Sequence, residues 1–185
     1  MLELAVGLVV VLSVLLVLGV NRLVKLRNRA TATWADLEVQ LTRRRELIPN
    51  LVATVEAYAR HERDVLDALA TARAAGDRSH GDPRRSADAE EEVDRRLAAA
   101  VALAEAYPEL KADERFRARH DVLGATENKI AFSRQLYNDT VTSYRDATRS
   151  FPGVLYAGLF GFQPPALFHA DAGERGAASV HLDRE

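Results

Sequence analysis

From Leu4 to Val20 the chain runs seventeen residues without a charge, and thirteen of them are Leu or Val. No polar position recurs inside the run to give it a solvent-facing side, so it does not read as the core helix of a soluble domain. As a helix it would reach roughly 26 Å, close to the ~30 Å hydrocarbon core of a bilayer. From Trp34 the pattern changes. Apolar residues now step by three and four: Trp34, Leu37, Leu41, Ile48, Leu51, Val55, Tyr58, Val65, Leu69 and Ala72, with Arg44 and Glu62 on the same stripe. This spacing predicts a long bundle helix, kinked around Arg45 by Pro49, with a break at Gly76 to Asp82 and Pro83.

A second, shorter helix is predicted from about Ser86 to Ala106, carrying Val93, Leu97, Ala100, Val101 and Ala104. Tyr107-Pro108 stops it, because a residue before proline is pushed out of the helical region. A third long helix is predicted over Asp113 to Ser150, with Asp113 as N-cap and Pro152-Gly153 as its stop. Its stripe is Phe116, His120, Leu123, Glu127, Ile130, Arg134, Tyr137, Val141, Tyr144, Thr148 and Phe151. The middle helix is too short to cover both neighbours along their length. The apolar segment 151–168 can supply the missing cover as a short fourth helix plus a packed turn; the alternative is a patch that binds a partner or lies on a membrane. The expected organisation is all-α: an N-terminal transmembrane helix with its basic flank (1–26), a bundle of three long helices and a short C-terminal one (27–168), and a mobile tail (169–185).

The flanks of the apolar run predict its orientation. Only Met1, Leu2 and Glu3 precede it, whereas Arg22, Lys25, Arg27 and Arg29 follow. The positive-inside rule then places the N-terminus outside and the bundle in the cytoplasm, on the inner face of the cell membrane. The charge lies on the wrong side for a cleaved signal peptide, so an uncleaved signal anchor is expected. There is no cysteine to hold a lipid or a disulfide. A formal net charge of −2 argues against a dedicated nucleic-acid binder, whose footprint is strongly basic.

Several motifs along the chain are more specific. They are Gln40-Leu41-Thr42-Arg43-Arg44-Arg45-Glu46-Leu47-Ile48-Pro49-Asn50-Leu51-Val52, Ala104-Glu105-Ala106-Tyr107-Pro108-Glu109-Leu110-Lys111, Thr126-Glu127-Asn128-Lys129-Ile130-Ala131 and Tyr137-Asn138-Asp139-Thr140-Val141. With the Phe151-Pro152 break and the N-terminal anchor, they make the chain resemble the LemA family over about Trp34 to Phe168. The resemblance implies an antiparallel, up-and-down four-helix bundle on a membrane anchor, in a family whose molecular role is generally left unassigned. The chain departs from the family where Tyr144-Arg145 replaces a second Tyr-Asn pair, and over Arg117 to Leu123.

The polar residues on the stripes and in these motifs are the candidates for a functional site: Arg44, Asn50, Glu62, Glu105, Glu127, Asn128, Arg134 and Asn138. Buried charges need partners, and a buried pair fixes register more than it stabilises. One reading has Arg44 and Arg134 paired with Glu127 and Glu62 to specify helix docking. The other has a polar cleft that binds a peptide, a headgroup or a small ligand. Parts for catalysis are missing: there is no Glu-x-x-His pair for a di-iron bundle, no second His four positions after His61, and no phosphate loop. No catalytic residue, cofactor or metal site is expected. The expected role is a non-catalytic scaffold or adaptor, held by residues 4–20 in the bilayer, with a membrane or cytoplasmic protein partner or self-association and no nucleic acid. A membrane-tethered sensor is the alternative.

Overall fold

A computed structural model describes residues 2–168, the Glu105 side chain excepted. The tail at 169–185 and the side chain of the candidate Glu105 therefore lie outside the described residues. Among these there are six helices and no strand: α1 Leu2–Glu56, α2 Arg63–Arg78, α3 Pro83–Glu105, α4 Pro108–Ala112, α5 Glu114–Arg149 and α6 Gly153–Ala157. The chain is an all-α helical bundle, built as two compact units. The first combines the residues up to Gln40 with Lys129–Leu167, and the second is formed mainly by Leu41–Asn128.

In the first unit α1 and α5 run antiparallel. Trp34 packs on Tyr137, ring centroids 5.4 Å apart, whereas Leu23, earlier on α1, packs with the later Tyr144. After α5 ends, the short α6 folds back, so that Tyr156, Ala157 and Phe162 join Leu23 and Tyr144 in one apolar cluster. The Tyr137 hydroxyl donates to the Ala166 carbonyl at 2.7 Å and ties down the end of this segment. The Tyr144 hydroxyl is buried without a hydrogen-bond partner among the described residues. Burial pushes its pKa up, against the opposing pull of the Arg27 charge. Phe151, expected on the buried stripe, is instead 80 % exposed, because α5 ends before it.

The second unit holds a core of Ile48, Leu51, Val55, Leu69, Val93, Leu97, Ala100, Leu110, Phe116 and Leu123, with smaller residues between them. Its α1 and α5 stretches are also antiparallel, since Arg44 meets Glu127 while Tyr58 meets Asp113. Two expectations about α2 need correction. The helix begun at Trp34 does not continue to Ala72: it ends at Glu56, and α2 starts at Arg63. Gly76 does not open the break either. It lies inside α2 where a Cβ would come 3.1 Å from Arg45 Cδ and 3.2 Å from Glu90 Oε1, so glycine admits two side chains at that point. The chain turns later, at Gly81, whose φ of +87 favours glycine.

Local capping sets the remaining boundaries. Asp82 accepts from the Arg84 and Arg85 amides, and Pro83 occupies the first turn, so α3 starts three residues before Ser86. Asp113 accepts from the amides of Arg115 (2.7 Å) and Phe116 (2.9 Å), the cap expected from its position. Those amides, the Phe116 one foremost, with the Tyr58 hydroxyl, hold its carboxyl below the usual range. Tyr107-Pro108 ends α3 but also opens the single turn of α4, because proline fits the first position of a helix.

Candidate functional site

Arg44 lies where the buried stripe of α1 puts a charge in the interior of the second unit, 1 % exposed. The stripe of α3 explains what faces it. Val93, Leu97, Ala100 and Ala104 are buried, and one step back along the same face comes Glu90, 2 % exposed. The Arg44 guanidinium pairs with Glu90 and Asp94 of α3, and at 3.1 Å with Glu127 of α5. Arg45 pairs with the other oxygen of Glu90 and, at 2.9 Å, with Asp77 of α2. The second terminal nitrogen of Arg45 donates to the Thr42 hydroxyl at 3.1 Å. Arg73 of α2 closes the array, donating from Nε to the Arg45 carbonyl at 2.8 Å while its terminal nitrogen lies 3.6 Å from Asp77. Four helices thus contribute to one charged cluster, with Glu90 bridging both arginines.

The electrostatics suit a permanent lock. Burial works to lower the Arg44 pKa, but the charges of Asp94, Glu90 and Glu127 together outweigh it, so the net shift is upward. Arg44 therefore keeps its charge throughout the physiological range. Glu127 behaves differently. Burial raises its pKa, Arg44 pulls it back, and Asp94 and Glu90 push it up again, leaving it above the ordinary carboxylate value. A carboxyl whose folded pKa is raised adds stability as pH falls through that pKa, because the folded state takes up the proton more readily. Glu127→Gln should thus lie within about 1 kcal/mol of the parent near neutral pH, since this side chain is 38 % exposed and screened. As pH falls towards the ordinary carboxylate range, the parent should gain on the variant. Chemical denaturation of the full chain in detergent, followed by circular dichroism across that range, measures the difference; the opposite trend would contradict the assignment.

The eight predicted residues are distributed unevenly. Arg44 and Glu127 meet, as one reading of the stripes expected, but Glu62 stands half-buried at the N-cap of α2 without a side-chain cap bond. Asn50 and Asn128 are exposed, while Arg134 and Asn138 are half-buried on the α5 stretch of the first unit. Sequence reasoning passed over Glu90, Asp94, Asp77, Arg45 and Arg73. Glu90 had a readable signal, because Glu90, Val93 and Leu97 keep helical spacing. Separately, a cleft of about 320 Å³ opens between α3, α4 and α5, lined by Val101, Ala104, Phe116, His120, Lys111, Arg117 and Asp121. Among the described residues, none of the predicted polar side chains lines it.

Among the described residues one helix, α1, is long and apolar enough to cross a membrane, with a mean hydropathy of 2.7 over its most apolar window and none of that window buried. These features define the class: a helical-bundle protein with an apolar N-terminal helix fit for a membrane anchor, and an interior ion-pair cluster. Residues 33–182 match the model of the LemA family. The chain belongs to the LemA family. Among curated proteins, none is similar enough to count as a match.

Proposed function

We propose that this LemA-family protein is a non-catalytic scaffold or adaptor, anchored in the cell membrane by residues 4–20, with its N-terminus outside and its bundle in the cytoplasm. The observation that carries this reading is the charged cluster of the second unit. Both terminal nitrogens of Arg44 are engaged by carboxylates of α3 and α5, and Glu90 bridges Arg44 to Arg45. Polar groups matched in this way specify how helices dock; they do not present an open cation to an anionic ligand. A rigid bundle tethered at a bilayer acts by raising the effective concentration of what binds it, which needs no catalytic group. The basic flank Arg22, Lys25, Arg27 and Arg29 supports the cytoplasmic orientation.

In-cell crosslinking of the full-length anchored chain, with mass spectrometry of the products, tests the proposal. The expected result is a reproducible protein partner, or a second copy, whose capture is lost when exposed charges of α3 are reversed by Asp88→Lys and Arg95→Glu while the anchor is kept. Ligand-dependent thermal stabilisation that disappears in Glu127→Gln, with no crosslinked protein, would replace the adaptor with a sensor.

A further inference from the structure

Residues 151–168 form eighteen consecutive positions without a charge. Their buried side is accounted for: Tyr156, Ala157 and Phe162 pack on Leu23, with Val20, Val24 and Leu26 around them. The other side is not. Phe151 is 80 % exposed, Leu155 69 % and Leu159 81 %, and Val154 and Phe160 are exposed as well. Five large apolar side chains on about ten residues form a patch that a water-facing loop rarely carries.

The position of the segment along α1 identifies what it faces. The Tyr156 hydroxyl closes on Gly19 so tightly that a Cβ there would lie 2.1 Å from its oxygen. Gly19 is the penultimate residue of the apolar run. On the far side, the Arg27 guanidinium stands 5.5 Å from the centre of the Phe162 ring. The segment is therefore moored between Gly19 and Arg27, a stretch of roughly 12 Å at helical rise. That stretch is where apolar sequence gives way to Arg22, Lys25 and Arg27, all exposed. If residues 4–20 span the hydrocarbon core, this level is the headgroup layer and the start of the acyl chains, the depth at which amphipathic segments lie in a bilayer.

We infer that residues 151–160 form a second, monotopic contact with the same bilayer, in which Phe151, Leu155, Leu159 and Phe160 enter the boundary between headgroups and acyl chains. The inference rests on the anchor reading above. It commits to lipid and not to protein, because the patch is moored where the apolar run of α1 ends, and the exposed cations beside it suit anionic headgroups. The consequence is mechanical. A single helix crossing a bilayer is free to rotate about its axis and to tilt, and a second contact one turn beyond its end restricts both. The apolar helix and its α5 partner would then have a fixed orientation on the membrane surface.

The chain has no cysteine, so single-cysteine nitroxide labels can be placed without removing any residue needed elsewhere. Labels at Leu12, Leu155, Leu159 and Gln135 are compared in the full chain, in nanodiscs of phosphatidylcholine and phosphatidylglycerol, by collision with oxygen and with a water-soluble nickel chelate. The expected result is that Leu12, Leu155 and Leu159 lose nickel collisions and gain oxygen collisions, Leu12 the most, while Gln135 shows the reverse. Nickel access at both Leu155 and Leu159 with Leu12 still in lipid would overturn the inference and leave the anchor intact. Nickel access at Leu12 would overturn both. Exclusion of both reagents at Leu155 and Leu159, with spin–spin broadening between copies, would mean that protein covers the patch, and would also overturn it.

Discussion

Replacing Arg44 by Ala should cost the second unit about 3–5 kcal/mol, the penalty of removing one partner from a buried ion pair, here with Glu90. Arg44 is 1 % exposed and meets Glu90, Asp94 and Glu127, of which Glu90 is itself 2 % exposed. Arg45 still reaches Glu90 in the variant, so the loss should fall at the lower end of that range if Arg45 can re-centre, and at the upper end if Asp77 holds it in place. Arg44→Lys separates charge from geometry. An ammonium supplies the positive charge but not the planar fork that reaches α3 and α5 at once, so its cost should be intermediate. Arg96→Ala, which removes an exposed helical pair with Glu92, should stay within about 0.5 kcal/mol. The comparison is made on the full chain in detergent, by denaturant titration followed at 222 nm. An Arg44→Ala cost below about 0.5 kcal/mol would place the residue at the surface and remove the basis for the docking role.

The contrast between Arg44 and Glu90 shows how far the sequence could be read. Arg44 sat on a stripe with Leu37, Leu41, Ile48 and Leu51, all of which are buried, so its burial followed from spacing. Glu127 followed in the same way from Leu123 and Ile130 on α5. Glu90 lies in a run with Glu91 and Glu92, and an acidic run ordinarily reads as a solvated face. Only extending the α3 register back from Val93 separates the one inward carboxylate from its two neighbours. The break at residues 57–62 was hidden for a related reason. Val55, Ala59, Leu66 and Leu69 are buried at intervals of four, seven and three, a series that an unbroken helix would also give. No proline or glycine punctuates that stretch, whereas Gly76, which looked like punctuation, makes room for Arg45 and Glu90. Periodicity identifies which faces are buried; it does not show where a helix stops when the next one resumes in register. The apolar segment 151–168 was legible as cover for a bundle, and its buried half does that work. That its other half would stay exposed depended on where α5 ends.

Gly153→Ala should detach α6 from α1. A Cβ at this position would lie 2.0 Å from the Ala147 carbonyl oxygen and 3.2 Å from its carbon, so the obstacle is backbone and not a side chain that can swing away. The surroundings have little room to adjust. The Ser150 amide donates to the Asp146 carbonyl at 2.9 Å and the Val154 amide to the Ser150 carbonyl at 3.0 Å, which ties the last turn of α5 to the first turn of α6. Relief requires opening that return, and Tyr156, Ala157 and Phe162 would then lose their seat on Leu23. Overpacking of this kind costs about 1–3 kcal/mol, equivalent to roughly a 5- to 150-fold loss of local protection. Hydrogen exchange of the full chain in nanodiscs reads it at the Phe160 and Phe162 amides, which donate to Tyr156 and Ala157 at 3.0 and 2.9 Å. Gly158→Ala is the control: its Cβ would meet nothing within 4 Å and its φ of −65 suits any residue, so protection should be unchanged. Intact protection in Gly153→Ala would mean that the α5–α6 return is looser than its geometry indicates. Equal losses in both variants would mean that glycine flexibility, and not the close approach to Ala147, governs the segment.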